Sequence, residues 1–272
     1  YSLVHNMEQI KNLTPPWQAS GAQAIHRAIK VLRCIARASN EGVSLSALTK
    51  QAGLIKSTTH RLTTALIAEG LVEQDNKTRR YYLGAGCHAL GLIASNRFGL
   101  HKVAAKHVSR LAQETGDTAF FSIRQDTNAV CVLREEGDYP LKSHALLAGD
   151  RHPLGVGAGS QAMLAALADS EVDYCIEHNI EYVMATYPKF SRALMVQLVE
   201  QARAKGYAVN PGLILAGSLG IGVALRNGQG EVVGALSIAT VEGRLEPDRE
   251  AELYKLLRRE AEKLEQSLAA SR

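Results

Sequence analysis

Apolar residues recur at helical spacing in the early part of this 272-residue chain. In the segment AQAIHRAIKVLRCIARA they form one stripe, which predicts an amphipathic helix whose basic residues lie largely off the buried face. Ser44 stands where an N-cap would begin a second, short helix, and Gly53 stands where that helix would end. The stripe of the first helix consists of Ile25, Ile29, Leu32 and Ile35 or Ala36.

A third helix is predicted from about Lys56 to Glu69, with Leu62 and Leu66 one turn apart on its inner face. The strand-like runs LVEQ and RYYLG follow, separated by the polar, basic segment DNKTR, which predicts a hairpin. Three helices with a short glycine-containing turn between the second and the third, followed by a hairpin, are typical of a winged helix-turn-helix.

The rest of the chain alternates between helical and strand-like segments. After the predicted connecting helix GCHALGLIASNRF come the helix KVAAKHVSRLAQETG, the strands TAFFSIRQ and NAVCVLREE, and the glycine-rich GVGAGSQAMLAALA. A further helix, two strands around a GQG turn and a final helix follow, so the sequence predicts an α+β fold with an antiparallel sheet. The predicted divisions are a flexible N-terminal arm at 1–20, a winged helix-turn-helix domain at 21–85, a linker helix at 86–98 and a second domain at 99–272.

Positive charge is concentrated in the first predicted domain. Residues 21–85 contain 10 Lys and Arg against 4 acidic residues, whereas residues 86–272 contain 20 against 22. A compact basic domain ahead of a mildly acidic one indicates a polyanion as the partner of the first domain.

The third predicted helix carries hydroxyls, an imidazole and a guanidinium on its first turns, the groups that meet phosphates and base edges in a major groove. Arg61 is the best candidate for a bidentate contact to guanine, and Lys56 for neutralising a phosphate. Two alternatives stay open, a solvated helix face with a charged turn, and a module that docks protein rather than DNA. The predicted DNA-binding residues are Lys56, Ser57, Thr58, His60, Arg61 and Thr64 of the helix, and Lys77, Arg79 and Arg80 of the hairpin.

The sequence argues against an enzyme. AGSLG is close to the nucleophile elbow of hydrolases, but Ser218 leads straight into an apolar strand rather than into a helix. The glycines at 155, 157 and 159 lack the spacing of a dinucleotide fingerprint, and no carboxylate is placed beside His144 or His152. We therefore predict no catalytic residue and no cofactor.

Metal sites and membrane spans are not predicted either. The four cysteines form no C-x-x-C pair that would present two thiolates to one metal ion. The chain also has no apolar run of about 18 residues and no targeting signal, so we expect a cytoplasmic protein without a membrane partner.

Several segments together resemble the IclR family of bacterial transcriptional regulators. They are AIHRAIKVLRCIA, SLSALTKQAGLIKSTTHRLTTALIAEGLVEQ, RRYYLG, LAQETGDTAFFSIRQDTNAVCVLREEG, AGDRHPLGVGAGSQAMLAAL and GEVVGALSIATVEGRL, and their order covers about residues 22 to 268. The resemblance implies an N-terminal winged helix-turn-helix, a linker helix and a C-terminal GAF-like domain that binds a small effector. It also implies homodimers or dimers of dimers on operator DNA, acting as repressors, activators or both.

The glycine-rich turn of the second domain offers a candidate effector site. Unpaired N–H groups at the start of the following helix suit a carboxylate, although the glycines also fit a simple tight turn. By resemblance, backbone amides at Ala158 and Gly159 hold the carboxylate, and further pocket positions match Asn210, Ser218, Gly220 and Ser237. Asn210 stands where one relative has an acidic residue, and Gly220 replaces a larger side chain. We therefore expect an acid larger or less polar than glyoxylate or pyruvate, for example an aromatic acid.

Overall fold

The structure is a computed structural model that describes residues 22–38, 41–95, 100–142 and 146–270. The predicted arm at 1–20 lies outside the described residues. The chain divides into two compact units, whose described parts lie within residues 22–95 and 100–270, and each unit has its own hydrophobic core.

The first unit has the predicted order of helices and strands. Its elements are α1 (Gln23–Arg37), α2 (Leu45–Ala52), α3 (Lys56–Ala68), β1 (Val72–Gln74), β2 (Tyr81–Leu83) and α4 (Ala85–Ser95). The Ser44 hydroxyl accepts a hydrogen bond from the Ala47 N–H at 3.3 Å, so this residue is the predicted N-cap of α2. Gly53 ends α2 at a φ of 62°, a left-handed conformation that favours glycine. Strands β1 and β2 pair as an antiparallel hairpin.

The predicted inner face of α1 is wrong in part. Val31 and Ile35 are fully buried against α2 and α3, whereas Ile25 is 65% exposed and Ile29 is 40% exposed. Each helical residue turns the chain by about 100°, so the row through Ile25 and Ile29 lies about a third of a turn from the row through Val31. This helix carries two apolar rows, and the sequence pattern alone did not indicate which one packs inward.

The second unit is built on a six-stranded antiparallel sheet with the strand order β5-β4-β3-β8-β7-β6. Its helices are α5 (Leu100–Thr115), α6 (Ala158–Ala165), α7 (Asp169–Thr186), α8 (Arg192–Lys205) and α9 (Pro247–Ala270). Its strands are β3 (Thr118–Gln125), β4 (Asn128–Glu136), β5 (Arg151–Pro153), β6 (Ala208–Asn210), β7 (Ser218–Arg226) and β8 (Val232–Val241). The α+β prediction is confirmed.

Two separate apolar layers cover the sheet. Helices α5 and α9 contribute Val108, Leu111 and Leu257 to one layer, and α6, α7 and α8 contribute residues such as Met163 and Ile176 to the other. All eight residues of α6 are buried, so this short helix is enclosed by the sheet and by its neighbouring helices.

The described residues also bear on metal and membrane chemistry. They contain no group of three or more His, Cys, Asp or Glu side chains that could hold a metal ion. None of the helices in these ranges is long and apolar enough to cross a bilayer.

Candidate functional sites

Helix α3 separates its threonines onto two faces. Thr59, Thr63 and Leu66 are buried at 0%, 1% and 7% exposure, on the side that packs into the first unit. Lys56, Ser57, His60, Arg61 and Thr64 are exposed, and Thr58 is half-buried. The exposed polar face that the sequence predicts is therefore present, and it is turned away from the unit's own core.

Local hydrogen bonds explain how so polar a segment can pack. The Thr59 hydroxyl donates to the Ile55 carbonyl oxygen at 3.2 Å, and the Thr63 hydroxyl donates to the His60 carbonyl oxygen at 2.8 Å. Because these bonds satisfy the buried hydroxyls, their methyl groups can face the core without an unpaired polar atom. The Thr64 hydroxyl also donates to the His60 carbonyl oxygen, at 2.9 Å, and its own lone pairs can still accept a hydrogen bond.

The amino end of α3 is open to an anion. Its N-cap, Ile55, offers no side-chain hydrogen bond, and the first turn contains no acidic residue. The first N–H groups of a helix have no partner within it, and they carry partial positive charge. With Lys56 exposed beside them, this end has the groups that bind a phosphate.

The hairpin tip is held by Asp75, whose carboxylate accepts hydrogen bonds from the N–H groups of Thr78 and Lys77. These bonds, the Thr78 bond first, hold the pKa of Asp75 below its ordinary value. Lys77 and Arg79 are exposed next to this turn.

Arg80 has a structural partner that the sequence did not predict. Its Nη1 donates to the carbonyl oxygens of Glu41 at 3.1 Å and Gly42 at 3.0 Å. Arg80 therefore braces the hairpin against the loop between α1 and α2, although its side chain is exposed.

Charged side chains compensate the dipole of helix α6 at its carboxyl end but not at its amino end. At its carboxyl end, Arg203 donates to the carbonyl oxygens of Ala165 and Leu167, and Arg226 donates to that of Ala166. At its amino end the N-cap is Gly157, which provides no side-chain cap, and the first turn contains no acid. A buried helix start without a negative partner is a favourable place for an anion.

The sheet approaches this helix start closely, which brings four of the predicted effector residues together. A Cβ on Gly159 would stand 3.0 Å from the Ser237 hydroxyl, and a Cβ on Gly220 would stand 3.2 Å from the Ala158 Cβ. The space left by the missing side chain at Gly220 is thus taken up by Ala158, so this glycine does not enlarge the pocket as we expected.

Asn210 lies beside Gly220 and leaves one polar atom unpaired. Its Oδ1 accepts hydrogen bonds from the N–H groups of Gly212 and Leu213 at 3.1 and 3.0 Å, which fixes the orientation of the amide. Its Nδ2 has no partner in the part of the chain that the structure describes, and the residue is only 4% exposed. A buried donor without an acceptor is costly, so a ligand that accepts from it would be stabilising.

Ser218, the sixth predicted effector residue, begins β7 two positions before Gly220 and on the same face of that strand. The serine continues directly into a nine-residue strand. A nucleophile elbow needs a sharp turn into a helix after the serine, so the hydrolase alternative has no structural basis here.

Sequence reasoning set aside one residue that lies at this site, His152 of β5. The residue is 7% exposed, and its Nε2 lies 3.9 Å from where a Cβ on Gly157 would stand. Burial lowers the pKa of His152 to about 4, against a weaker opposing effect of Asp150, so the imidazole is neutral near pH 7. Its position is set by pairing with Ala129 of β4, which belongs to the core on the α6 side of the sheet, and the sequence carries no local signal for that pairing.

A cavity of about 410 Å³ lies at the opposite, carboxyl end of α6. Arg203, Arg226 and Arg258 line it, but each guanidinium already donates to carbonyl oxygens or carboxylates of the chain. This cavity therefore offers less uncompensated charge than the amino end of the same helix.

Comparisons with known proteins agree with this architecture. Residues 24–76 match the IclR helix-turn-helix domain, and residues 93–266 match the C-terminal domain of the bacterial transcriptional regulator IclR. The HTH-type transcriptional repressor AllR of Escherichia coli is 29% identical over 249 residues, which are 89% of this chain and 91% of that protein. AllR of Salmonella typhimurium is 28% identical over 248 residues, covering 89% and 90% of the two chains.

Solved structures share the fold. The IclR protein of Thermotoga maritima superposes with a TM-score of 0.67 at 21% identity, over 91% of this chain and 99% of that one. An IclR homolog of Microbacterium hydrocarbonoxydans, complexed with 4-hydroxybenzoate, superposes with a TM-score of 0.69 at 22% identity, over 91% and 100%. Both domain models match in the expected order and together span most of the chain, and proteins of this kind are DNA-binding regulators rather than enzymes. The chain therefore belongs to the IclR family of bacterial transcriptional regulators.

Proposed function

We propose that this regulator binds operator DNA through the exposed face of α3 and that a small carboxylic acid at the start of α6 controls this binding. The observation that carries the proposal is the one-sided compensation of α6. Two arginines satisfy its carboxyl end, while its buried amino end has neither a cap nor an acid. A carboxylate accepting from the N–H groups of Ala158 and Gly159 would supply the missing negative charge.

Two neighbours favour an acid that has apolar surface as well. The Ile214 side chain lies 3.2 Å from where a Cβ on Gly157 would stand, and Leu213 and Ile214 both pack against the core on this side. Asn210 presents a neutral amide, so a second negative charge gains no ion pair there. An acid of this kind, 4-hydroxybenzoate, is bound in the structure of the Microbacterium hydrocarbonoxydans homolog. Aromatic acids are therefore the first class to test.

On the DNA side, Arg61 is proposed to contact a guanine and Lys56 a phosphate at the amino end of α3. Ser57, Thr58, His60 and Thr64 complete the groove face, and Lys77 and Arg79 reach the neighbouring backbone. Arg80 supports the hairpin in this proposal and contacts DNA only in addition to that role.

The coupling between the two activities requires two recognition helices. We propose a homodimer, alone or paired into a tetramer, in which the acid favours one spacing of the two α3 helices over another. An effector that binds one arrangement better changes DNA affinity by the same coupling free energy, typically about 1 to 3 kcal/mol.

Isothermal titration of the purified protein against aliphatic and aromatic carboxylic acids tests the effector half. We expect saturable binding of at least one acid, and a change in gel-shift affinity for an operator fragment when that acid is added. Binding restricted to keto acids of two or three carbons would contradict the aromatic class, and absence of binding by every acid would contradict the effector site.

A further inference from the structure

A buried imidazole, that of His152, lies beside Gly157 at the start of α6, close to the proposed carboxylate site. His152 pairs in register with Ala129 across β5 and β4, and Ala129 belongs to the core on the α6 side of the sheet. Residues paired directly across neighbouring strands share a face of the sheet, so His152 lies on the α6 side as Ala129 does. The His152 ring thus lies on the same side as the start of α6, with its Nε2 close to Gly157.

This imidazole is not fully satisfied by the protein. Its Nδ1 is buried and has no hydrogen-bond partner among the described residues. Buried polar atoms are nearly always paired in native proteins, so an unpaired one on a ring that lies beside a candidate pocket calls for a partner from outside the chain. Asn210 Nδ2 is a second unpaired buried atom, on the Gly220 side of the same helix start.

The protonation state limits what that partner can be. With its pKa lowered to about 4 by burial, His152 is neutral near pH 7 and has one donor and one acceptor nitrogen. A neutral imidazole gives no ion pair to a second carboxylate. An ammonium group is disfavoured as well, because the start of α6 carries partial positive charge. A hydroxyl group can accept a hydrogen bond from the donor nitrogen or donate one to the acceptor nitrogen. An oxo group can only accept, so it bonds to the donor nitrogen.

We propose that His152 selects the effector by hydrogen bonding to its second polar group, so that the pocket prefers hydroxy or oxo acids to the matching unsubstituted acids. This inference rests on the proposed effector site at α6 and names the residue that would contact the second polar group of the ligand. In this arrangement the helix start holds the carboxylate, and the imidazole distinguishes among acids.

Isothermal titration of three proteins against two matched pairs of acids tests the proposal. The pairs are 4-hydroxybenzoate with benzoate, and pyruvate with propionate. We expect the wild type to bind the oxygen-bearing acid of at least one pair about 3- to 10-fold more tightly, as one neutral hydrogen bond allows. His152→Leu should reduce that ratio to about one, because leucine has no group that can hydrogen bond to the hydroxyl or oxo group. His152→Asn places an amide near the position of Nδ1 and should retain part of the preference.

The outcomes separate this inference from the proposed function. If the wild type binds none of the four acids, the role of His152 fails, and the acid site fails with it only if the whole panel of aliphatic and aromatic acids also shows no binding. If the wild type binds acids without preference in either pair, or His152→Leu keeps the wild-type ratio, only the role of His152 fails. Thermal unfolding of each variant checks that it is folded. If His152→Leu does not fold, His152→Phe, which keeps a ring, replaces it and is judged by the same affinity ratio.

Discussion

Asn210 and Gly220 are paired in register across β6 and β7, and a Cβ on Gly220 would stand 3.9 Å from the Asn210 Cβ and 3.2 Å from the Ala158 Cβ. The glycine therefore lies between the pocket amide and the first residue of α6. This close approach sets the distance between the unpaired Asn210 donor and the N–H groups proposed to bind the carboxylate.

Gly220→Ala should weaken binding of the acid effector while changing the unfolding free energy by no more than about 1 kcal/mol. At 3.2 Å the new methyl group requires Ala158 to move by a few tenths of an ångström, which displaces the start of α6. Titration calorimetry and urea unfolding measure the two effects.

The matched control is Gly222→Ala, two residues along the same strand. Its Cβ would stand 2.8 Å from backbone atoms of Ala158 and Gly159, which cannot move independently of the helix. This variant should lose roughly 1 to 3 kcal/mol of unfolding free energy. Wild-type acid binding by Gly220→Ala, or wild-type stability of Gly222→Ala, would show that the approach of the sheet to α6 is looser than described.

Arg80→Ala should destabilise the first unit by roughly 1 to 2 kcal/mol, because two carbonyl oxygens lose their donor. Urea unfolding with a spectroscopic signal from the first unit measures the loss. Lys77→Ala, a neighbouring charge removal in the same hairpin, is the control and should leave stability unchanged. Equal stability of the two variants would argue that Arg80 has no bracing role.

Lys77→Ala should lower affinity for specific and nonspecific DNA by similar factors and reduce the slope of log affinity against log salt by about 1. The physical reason is that one fewer phosphate is neutralised. Fluorescence anisotropy across a salt series provides the measurement. Lys255→Ala removes the same charge from the exposed side of α9 in the other unit, and an equal effect there would assign the change to net charge instead of a hairpin contact.

Glu260 should make the second unit sensitive to acid. Its burial alone would raise the pKa of the carboxyl, but hydrogen bonds from His107, Lys263 and Arg110 outweigh burial and lower the pKa to about 2. A carboxyl with a lowered folded pKa stabilises the protein above its unfolded pKa, and this contribution is lost as the pH falls from about 4.5 to about 2.

The expected loss over this range is on the order of 2 kcal/mol. Urea unfolding at a series of pH values should show the decline in the wild type and a flatter dependence in Glu260→Gln. The variant should also be less stable at pH 7, because His107, Lys263 and Arg110 lose their carboxylate acceptor and His107 is buried. Identical pH profiles would mean that Glu260 does not carry the acid sensitivity.

The local signals in the sequence predicted the first unit well. Ser44 and Gly53 mark the ends of α2 because capping depends on the residue at one position. The sequence pattern could not show which apolar row of α1 faces inward, because Ile25 and Val31 are both apolar. Only the packing of α2 and α3 against Val31 distinguishes them. The buried threonines of α3 similarly depend on hydrogen bonds to the preceding turn.

In the second unit the long strands and the last helix were predicted, whereas α7, β5 and β6 were not. Strands β5 and β6 have three residues each, too few for alternation to be visible. Helix α7 has inward positions at Val172, Ile176 and Val183, but the buried Asn179 interrupts the apolar row. That asparagine is tolerated because its side chain donates to the Thr127 carbonyl oxygen at 2.8 Å, a partner 52 residues away.

The candidate effector site depends on contacts between residues that are remote in sequence. Ala158, Gly220 and Ser237 come from three elements and were expected only through resemblance to the family. His152 was set aside because no partner is placed near it in the sequence. Its unpaired nitrogen is visible only once β5 is placed beside the start of α6.

Genomic footprinting with the purified wild type and Arg61→Ala tests the central claim, that the outer face of α3 recognises specific DNA. Arg61 is exposed on that face, so its removal should leave the fold intact. We expect discrete protected promoter sites for the wild type, and a loss at those sites of about 1 to 3 kcal/mol in binding free energy for the variant. Protection of the same sites with the same affinity by both proteins would contradict the account.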